Sequence, residues 1–396
     1  MINTKKSIRA KRISNTPPYL FAEIDKKKAA AVAKGMDLIS FGIGDPDMPT
    51  PKHIVDAMHA AIDDAKTHDY PPYEGTKEFR EAVSSWMQKR FGVAIDPVKE
   101  AMALIGSKEA IAHMHTALID KDDVCLIPSP SYPVYRVATI FSEGIPYNLP
   151  LNEANNFLPD LKKIPADVLA KSKVIWVNYP NNPTGAVCDL SFYEELVHFA
   201  KKNNIIVCSD NAYSEMTYDG FVAPSILQVP GAKDVAIEFL SLSKAYNMTG
   251  WRLGMAVGNE ELIAALGIVK TNTDSGQFKA IQKAGTVALT SSQDCIKEMN
   301  KIYQKRRDVM TNGLNSLGWK LTPIKGTFYI WAKIPPRFKS SADFCGHVLD
   351  ETGIVLVPGN GYGPEGEGYF RAAITVSEEK INAGIARLKE KKITFN

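Results

Sequence analysis

The sequence predicts an α/β fold, and three observations carry that prediction. Between about residues 101 and 258, short apolar runs alternate with stretches of helical periodicity, the pattern of a sheet covered by helices. The runs 101–105, 124–127, 174–178, 205–209, 236–240 and 254–257 are almost continuously apolar, as strands buried on both faces of a parallel or mixed sheet must be. Polar residues suited to chemistry fall just after these runs, where open α/β sheets bind their ligands. At 396 residues the chain exceeds one ordinary core, so two domains are expected.

Composition narrows the function classes. Apolar residues make up 45% of the chain and charged ones 23%, values of a soluble globular protein. A net charge of +3 is small for this length and implies no polyanionic partner. Cys125, Cys188, Cys208, Cys295 and Cys345 are odd in number and at least twenty residues apart. That spacing excludes CxxC zinc or redox pairs and fits the reduced thiols of a cytosolic protein. The basic N-terminal stretch (Lys5, Lys6, Arg9, Lys11, Arg12) is not followed by an apolar segment, so a secretory signal is not expected. An apolar run of about eighteen residues, as a membrane span needs, is absent. The expected location is cytoplasmic. His113 and His115 lie two apart on a predicted helix, so they project apart and cannot share a metal.

Taken in order, residues 1–16 carry little pattern and are expected to form a flexible arm. Pro17-Pro18 leads into Tyr19-Leu-Phe-Ala-Glu-Ile24 and a lysine-rich helix to about Lys34. Residues 37–41 read as a short strand. Gly42-Ile-Gly44-Asp-Pro-Asp then forms a loop where backbone can approach a ligand closely. Its proline-rich continuation sets it apart from a dinucleotide fingerprint, which needs a helix there. From Pro51 the spacing of Ile54, Val55, Met58 and Ile62 predicts a helix. Tyr70-Pro-Pro-Tyr-Glu-Gly75 is a stiff turn before another helix, carrying Phe79, Val83, Trp86 and Met87. After about Asn259 a long helical stretch, interrupted by the polar loop 271–277, crosses to a smaller domain. Its strands are expected at 319–321, 327–332, 354–357 and 369–373.

The chemistry centres on Lys244. The strand 236–240 opens into Ser241-Leu-Ser-Lys244, with Arg252 eight residues on. An amine at the mouth of a buried strand, near another cation, holds its proton less tightly than the ~10.4 of free lysine. It then serves as a nucleophile for carbonyl carbon. Ser241, Ser243 and Arg252 form a cradle for a phosphate dianion. A lysine for an aldehyde beside a cradle for a phosphate points to pyridoxal phosphate, bound as a Schiff base.

Other motifs converge on the same reading. Gly106-Ser-Lys-Glu109 opens a helix over 110–118, whose N-terminal amides and dipole suit a phosphate. Ser107 as a plain helix cap would give the same pattern. Tyr132, in Ser129-Pro-Ser-Tyr-Pro133, follows a strand, and its ring can stack on a pyridine for about 0.5–1.5 kcal/mol. Tyr179-Pro-Asn-Asn-Pro-Thr-Gly185 is a rigid polar loop with a second asparagine that a generic turn does not need. Asp210, in Ser209-Asp-Asn-Ala-Tyr213, closes a buried strand, where a carboxylate needs a cation. A protonated pyridine nitrogen is such a cation, and the pairing keeps the ring an electron sink.

From about Pro18 to Val376 the chain resembles the class I aminotransferases, which are fold-type I pyridoxal-phosphate enzymes. The likeness rests on Ser-x-Ser-Lys-x-Tyr-Asn-Met-x-Gly-Trp-Arg-x-Gly over 241–254 and on the Asn-Asn-Pro-Thr-Gly loop. Among them it is most similar to the LL-diaminopimelate aminotransferases. That likeness rests on residues 19–24, Gly106-Ser-Lys108, Pro358-Gly-Asn-Gly-Tyr-Gly363 and Gly366-Glu-Gly-Tyr-Phe-Arg371. The resemblance implies a large domain over 50–295 with a mostly parallel sheet of the seven-stranded type. It also implies a small α+β domain over 296–396, to which the arm 1–49 contributes.

For the cofactor, the resemblance implies that Lys244 carries it and that Ser107, Lys108, Ser241, Ser243 and Arg252 surround its phosphate. Tyr70 would reach the same phosphate across a homodimer interface. Tyr132 would stack on the ring, Asn182 and Tyr213 address its phenolic oxygen, and Asp210 face its nitrogen. For the substrate it implies Tyr19, Gly44, Lys108, Tyr132, Asn182 and Arg371, the last clamping the α-carboxylate. The implied catalytic residues are Lys244, Asp210 and Tyr213, without a metal, nucleic acid or membrane. The implied activity is ping-pong transamination between LL-2,6-diaminopimelate and 2-oxoglutarate, in lysine biosynthesis.

Two departures keep a broader alanine, aspartate or aromatic aminotransferase as the alternative. Tyr73 stands where some diaminopimelate enzymes have a glutamate for the distal ammonium, with Glu74 next to it. The loop 271–277 lacks a clear counterpart of their distal asparagine. A lyase on the same fold is disfavoured by Arg371 and the intact asparagine loop, which organise a carboxylate that is kept. A non-enzymatic regulator would need a DNA-binding domain, and the first forty residues are too short to supply one.

Overall fold

Seven strands build the central sheet of the computed structural model, which describes residues 8–17, 20–33 and 35–396. A two-residue strand, β1 (Ile39–Ser40), precedes them. The sheet strands are β2 (Ala101–Leu104), β3 (Val124–Ser129), β4 (Ile145–Pro150), β5 (Ser172–Val177), β6 (Ile206–Asp210), β7 (Ala236–Ser241) and β8 (Gly254–Gly258). Their spatial order is β2-β8-β7-β6-β5-β3-β4. The neighbours from β4 to β7 run parallel, and β8 runs antiparallel to both β7 and β2.

Six of these strands match the apolar runs, and β4 is the seventh. Its sequence, Ile-Pro-Tyr-Asn-Leu-Pro, carries two prolines that cannot donate to a ladder. Such a strand belongs at a sheet edge, and β4 pairs with β3 alone. The reversed β8 matters for the site. Its first residue, Gly254, sits opposite Ser241 at the end of β7 and Leu104 at the end of β2. Residues just before β8 therefore meet residues just after the other strands.

Side chains alternate across the sheet as strand geometry requires. Ile175 and Val177 of β5 enter one core, with the helices Lys52–Ile62, Lys77–Phe91, Leu190–Asn203 and Lys279–Thr290. Val174 and Trp176 enter the other, with Ser107–Leu118 and Glu260–Thr271. A further core joins Ile39, Phe41, Tyr213, Met216 and Tyr218 to residues between Met299 and Ile393, so both ends of the chain contribute to it. Here β9 (Tyr329–Lys333), β10 (Ile354–Val355), β11 (Val357–Pro358) and β12 (Tyr369–Ala373) pair as β1-β10 and β11-β12-β9.

Some small-domain expectations need correction. Residues 319–321 are not a strand. The Trp319 indole donates to the Lys333 carbonyl at 2.8 Å, and its ring packs on Phe344, Phe370 and Phe395. An aromatic anchor thus gave the apolar signal without a ladder. The strand expected at 327–332 starts at Tyr329, and the run 354–357 splits between two partners. The helix expected near 19–34 is Leu20–Ala33, and Tyr19 lies outside the described residues. Within 8–17 there is a helical turn, Lys11–Ser14. Among the described residues no helix is long and apolar enough to cross a membrane.

Candidate active site

A cavity of about 530 Å³ opens where β2, β3, β5, β6 and β7 end. Lys244 enters it from the turn Leu242–Ala245, capped by Ser241, whose Oγ accepts the Ser243 amide at 3.2 Å. Its Nζ donates to the Gly44 carbonyl at 3.0 Å and lies 5.6 Å from the centre of the Phe328 ring. Burial pushes the amine down to about 8, against the negative charge of Asp45, with Arg371 and Arg252 adding to the depression. Near neutral pH this lysine therefore has a sizeable neutral, nucleophilic fraction, which an ordinary lysine lacks.

Asp210, the last residue of β6, is 6% exposed. The Tyr135 hydroxyl donates to its Oδ2 at 2.6 Å, and Oδ1 is buried without a hydrogen-bond partner among the described residues. Burial pushes this carboxyl up to about 6, with Tyr135 and the Ala212 backbone pulling the other way. A carboxylate with an open acceptor on a cavity wall suits a cationic ring nitrogen.

One end of the cavity forms where β2 stops and β8 starts. Gly106 has φ +74°, and a Cβ there would lie 2.2 Å from Arg252 Nη2. Only glycine lets the guanidinium lie against this turn. Gly106, not Ser107, takes the cap position of the helix Ser107–Leu118, and it makes no side-chain cap bond. The helix start, with its positive dipole end, thus faces the cavity beside Arg252. Ser107, Lys108, Ser241, Ser243 and Arg252 all line the wall. Arg252 itself has φ +56° and donates to the Thr249 carbonyl at 2.8 Å. The Gln277 amide holds the carbonyls of Trp251 and Arg252.

At the opposite end Arg371, 1% exposed in β12, donates to Asn182 Oδ1 at 3.0 Å and to the Gly42 carbonyl at 2.7 Å. Its guanidinium carbon sits 4.1 Å from the centre of the Tyr329 ring, a cation–π contact. Gly44 leaves no room for a side chain, since a Cβ would lie 2.0 Å from the Tyr329 hydroxyl. That hydroxyl meets Tyr213 Oη at 3.1 Å. Tyr132 also lines the cavity. Lys244, Arg252, Arg371 and Lys108 face it against few acids, so the site attracts ligands with more than one negative charge.

Most of the expected residues meet in this one cavity, but Tyr70 does not. It is 84% exposed and does not line the cavity. Tyr73 is also exposed, and the Glu74 carboxylate faces Arg80 at 3.8 Å instead of the cavity. Three residues escaped the sequence reading. Asn178 accepts the Asn182 amide at 2.8 Å and donates to the Asp210 carbonyl at 2.6 Å, tying the asparagine loop to β6. It is a polar residue at the end of an apolar run, the same signal that singled out Asp210. Tyr135 stands one helical step beyond Tyr132, and Tyr329 offers no local signal at all.

A lysine amine set between a cup for a phosphate and a clamp for a carboxylate suits the transfer of amino groups between acids, and the protein is an aminotransferase. The chain belongs to the aminotransferase class I and II family, whose model matches residues 36–388. It is similar to the LL-diaminopimelate aminotransferase of Gloeobacter violaceus, at 55% identity over 98% of this chain and 99% of that one. Among solved structures it is similar to substrate-bound BacF from Bacillus subtilis, with 34% identity and a TM-score of 0.95 over 99% of both chains. A Thermus thermophilus aspartate aminotransferase double mutant gives 27% identity and a TM-score of 0.91, over 97% of this chain and 100% of that one. The mixed, mostly parallel seven-stranded sheet is that of the fold-type I aminotransferases.

Proposed function

We propose that the chain moves an amino group between LL-2,6-diaminopimelate and 2-oxoglutarate, using pyridoxal 5'-phosphate, as a homodimer. The observation that carries the substrate is 55% identity over 98% of the chain to a relative of that name. The 2-amino-6-oxo product closes to tetrahydrodipicolinate with loss of water, and glutamate is the second product. Run in reverse, the reaction serves lysine synthesis. The open Oδ1 of Asp210 and the cup at Gly106 are the observations that support the cofactor.

When bound, pyridoxal phosphate supplies an aldehyde for amine exchange and a cationic ring that draws electrons from the substrate Cα. The residues of the chain do the rest. Asp210 would hold the positive charge at the ring nitrogen, while Ser107, Ser241, Ser243, Arg252 and the helix start at Ser107 would hold the phosphate. Arg371, oriented by Asn182 and Gly42, pairs with the substrate α-carboxylate. The Lys244 amine, neutral in part because it is buried, takes the α-proton and returns it. Tyr213, oriented by Tyr329, would supply a hydroxyl to the ring oxygen. The exposure of Tyr70 supports its reaching a neighbouring subunit. Two main cores support a large domain over 50–295 and a small one over 296–396 to which the arm 1–49 contributes, with Tyr213, Met216 and Tyr218 packing from the first into the core of the second.

Two measurements test this reading. The purified protein is expected to show visible cofactor absorbance that borohydride bleaches, and Lys244→Ala should lose both that absorbance and turnover. Turnover of Lys244→Ala at a tenth of wild type contradicts the assignment. LL-diaminopimelate, alanine, aspartate and phenylalanine are then compared as donors to 2-oxoglutarate by kcat/KM. Alanine or aspartate ahead of LL-diaminopimelate by more than about tenfold, roughly 1.4 kcal/mol, overturns the substrate.

A further inference from the structure

Behind the phosphate cup lies a buried ionic cluster that the transfer reaction does not use. Lys270, near the end of the helix Glu260–Thr271, is 1% exposed. Its ammonium donates to Glu109 Oε1 at 2.7 Å and to Asp274 Oδ1 at 2.9 Å. His113 Nδ1 lies 3.4 Å from the same oxygen of Glu109. Ligand atoms of Glu109, His113 and Asp274 all fall within 4.8 Å of one another, a grouping that could hold a metal ion. The lysine already bonds both carboxylates, so the positive charge that a metal would bring is in place.

Each carboxylate leads to a different part of the cup. Glu109 Oε2 accepts the amide of Ile105, the residue before Gly106, and the Ile105 carbonyl accepts from Arg252 at 3.5 Å. Asp274 Oδ1 accepts the amide of Gly276 at 2.7 Å, and the next residue, Gln277, holds the Trp251 and Arg252 carbonyls. Both routes end on Arg252 and the Gly106 turn, which together make the cup. Arg252 stands in left-handed backbone geometry, which a non-glycine residue keeps only when its surroundings fix it.

We propose that Lys270 is a positioning residue for the cofactor phosphate. By joining Glu109 to Asp274 it locks the start of the helix Ser107–Leu118 to the loop 271–277, and so sets how firmly the cup grips. The inference rests on the reading that this cup takes the phosphate of pyridoxal phosphate. One ammonium bonds carboxylates from two elements, and removing it leaves two half-buried carboxylates without their cation.

The test uses the full chain loaded with pyridoxal phosphate. Lys270→Met is expected to release cofactor about tenfold faster, or more, when diluted into a trap, read as loss of visible absorbance. With saturating cofactor its kcat stays within about threefold of wild type, because no reacting atom is touched. The gap in Tm between loaded and cofactor-free protein narrows, since weaker binding adds less to stability. Glu109→Gln keeps the lysine and the shape, loosens one arm, and covers the case in which Lys270→Met does not fold. Its release rate should fall between the other two. Release within about twofold of wild type in every folded variant overturns the proposal. Equal losses of Tm with and without cofactor overturn it too, because they mark a scaffold role only. A wild type with no borohydride-sensitive absorbance instead defeats the cofactor reading underneath.

Discussion

Glu238 and Asp210 stand one register step apart on the adjacent strands β7 and β6, and both are carboxylates withdrawn from water. Burial raises the proton affinity of each. Glu238, inside its strand, is fully answered. Its Oε1 accepts the Ser225 hydroxyl at 2.6 Å, and Oε2 accepts the Ser209 hydroxyl at 3.1 Å and the Ile226 amide at 3.2 Å. Asp210, at its strand end, has one side-chain donor, Tyr135, and an open oxygen facing the cavity. Depth alone does not separate a structural acid from a functional one. Within this pair the count of satisfied oxygens does, because an unanswered buried acceptor costs free energy and the open oxygen of Asp210 belongs to a cavity wall where a ligand can answer it.

The largest effect expected from this contrast is in Asp210→Asn. The amide keeps the shape but not the charge, and turnover should fall by ~10²–10³, the scale of one preorganised electrostatic contact. Cofactor-free protein should respond in the opposite direction. A carboxyl raised from 3.8 to about 6 by folding adds stability below the lower value and loses it as pH rises through the higher one. At neutral pH the loss is about 3 kcal/mol, and asparagine removes it. Cofactor-free Asp210→Asn should therefore melt above wild type near pH 7.5, with the gap closing towards pH 4. A variant that melts lower at neutral pH, or turns over normally with cofactor bound, breaks the contrast.

Glu238→Leu should act on stability only. It strands two hydroxyls and an amide, and although the hydroxyls can rotate, about 2–4 kcal/mol of unfolding free energy should be lost. Turnover per folded molecule should stay within about twofold of wild type. Denaturant melts with activity corrected for folded fraction check this, and a kcat loss matching that of Asp210→Asn erases the distinction.

The same contrast explains what could be read from the sequence. Lys244, Asp210, Asn182 and Ser107 were legible because each sits just past an apolar run, and strand ends are local features. Glu238 was hidden inside such a run, and its donors come from Ser209 and Ser225, 29 and 13 residues away. Tyr329 reaches Tyr213 and Gly44 from strand β9, a juxtaposition that only the fold creates. The edge strand β4 was masked by Pro146 and Pro150, since the reading sought strands buried on both faces. At 319–321 the apolar signal came from Trp319 anchoring a core rather than from a ladder. Tyr70 marks a different limit: its exposure in one chain gives it nothing to act on unless a second subunit supplies the partner.

The smallest effect expected is in Tyr135→Phe. The ring remains stacked on Trp176, with centroids 5.1 Å apart, so packing changes little and only the hydroxyl is lost. That hydroxyl is the side-chain donor that pulls the Asp210 proton affinity down. Without it the carboxyl holds its proton to a higher pH than in wild type, where the midpoint is about 6. On the proposed pairing of the ionised form with the ring nitrogen, cofactor uptake should fail at a higher pH as the solution is acidified. Titrating uptake by visible absorbance between about pH 5 and pH 8 locates the midpoint. At higher pH, with Asp210 ionised in both proteins, turnover should drop by no more than about tenfold, the scale of one hydrogen bond at roughly 0.5–1.5 kcal/mol. A midpoint that stays put or moves to lower pH would show that Tyr135 does not tune Asp210, and that the open oxygen alone sets its behaviour.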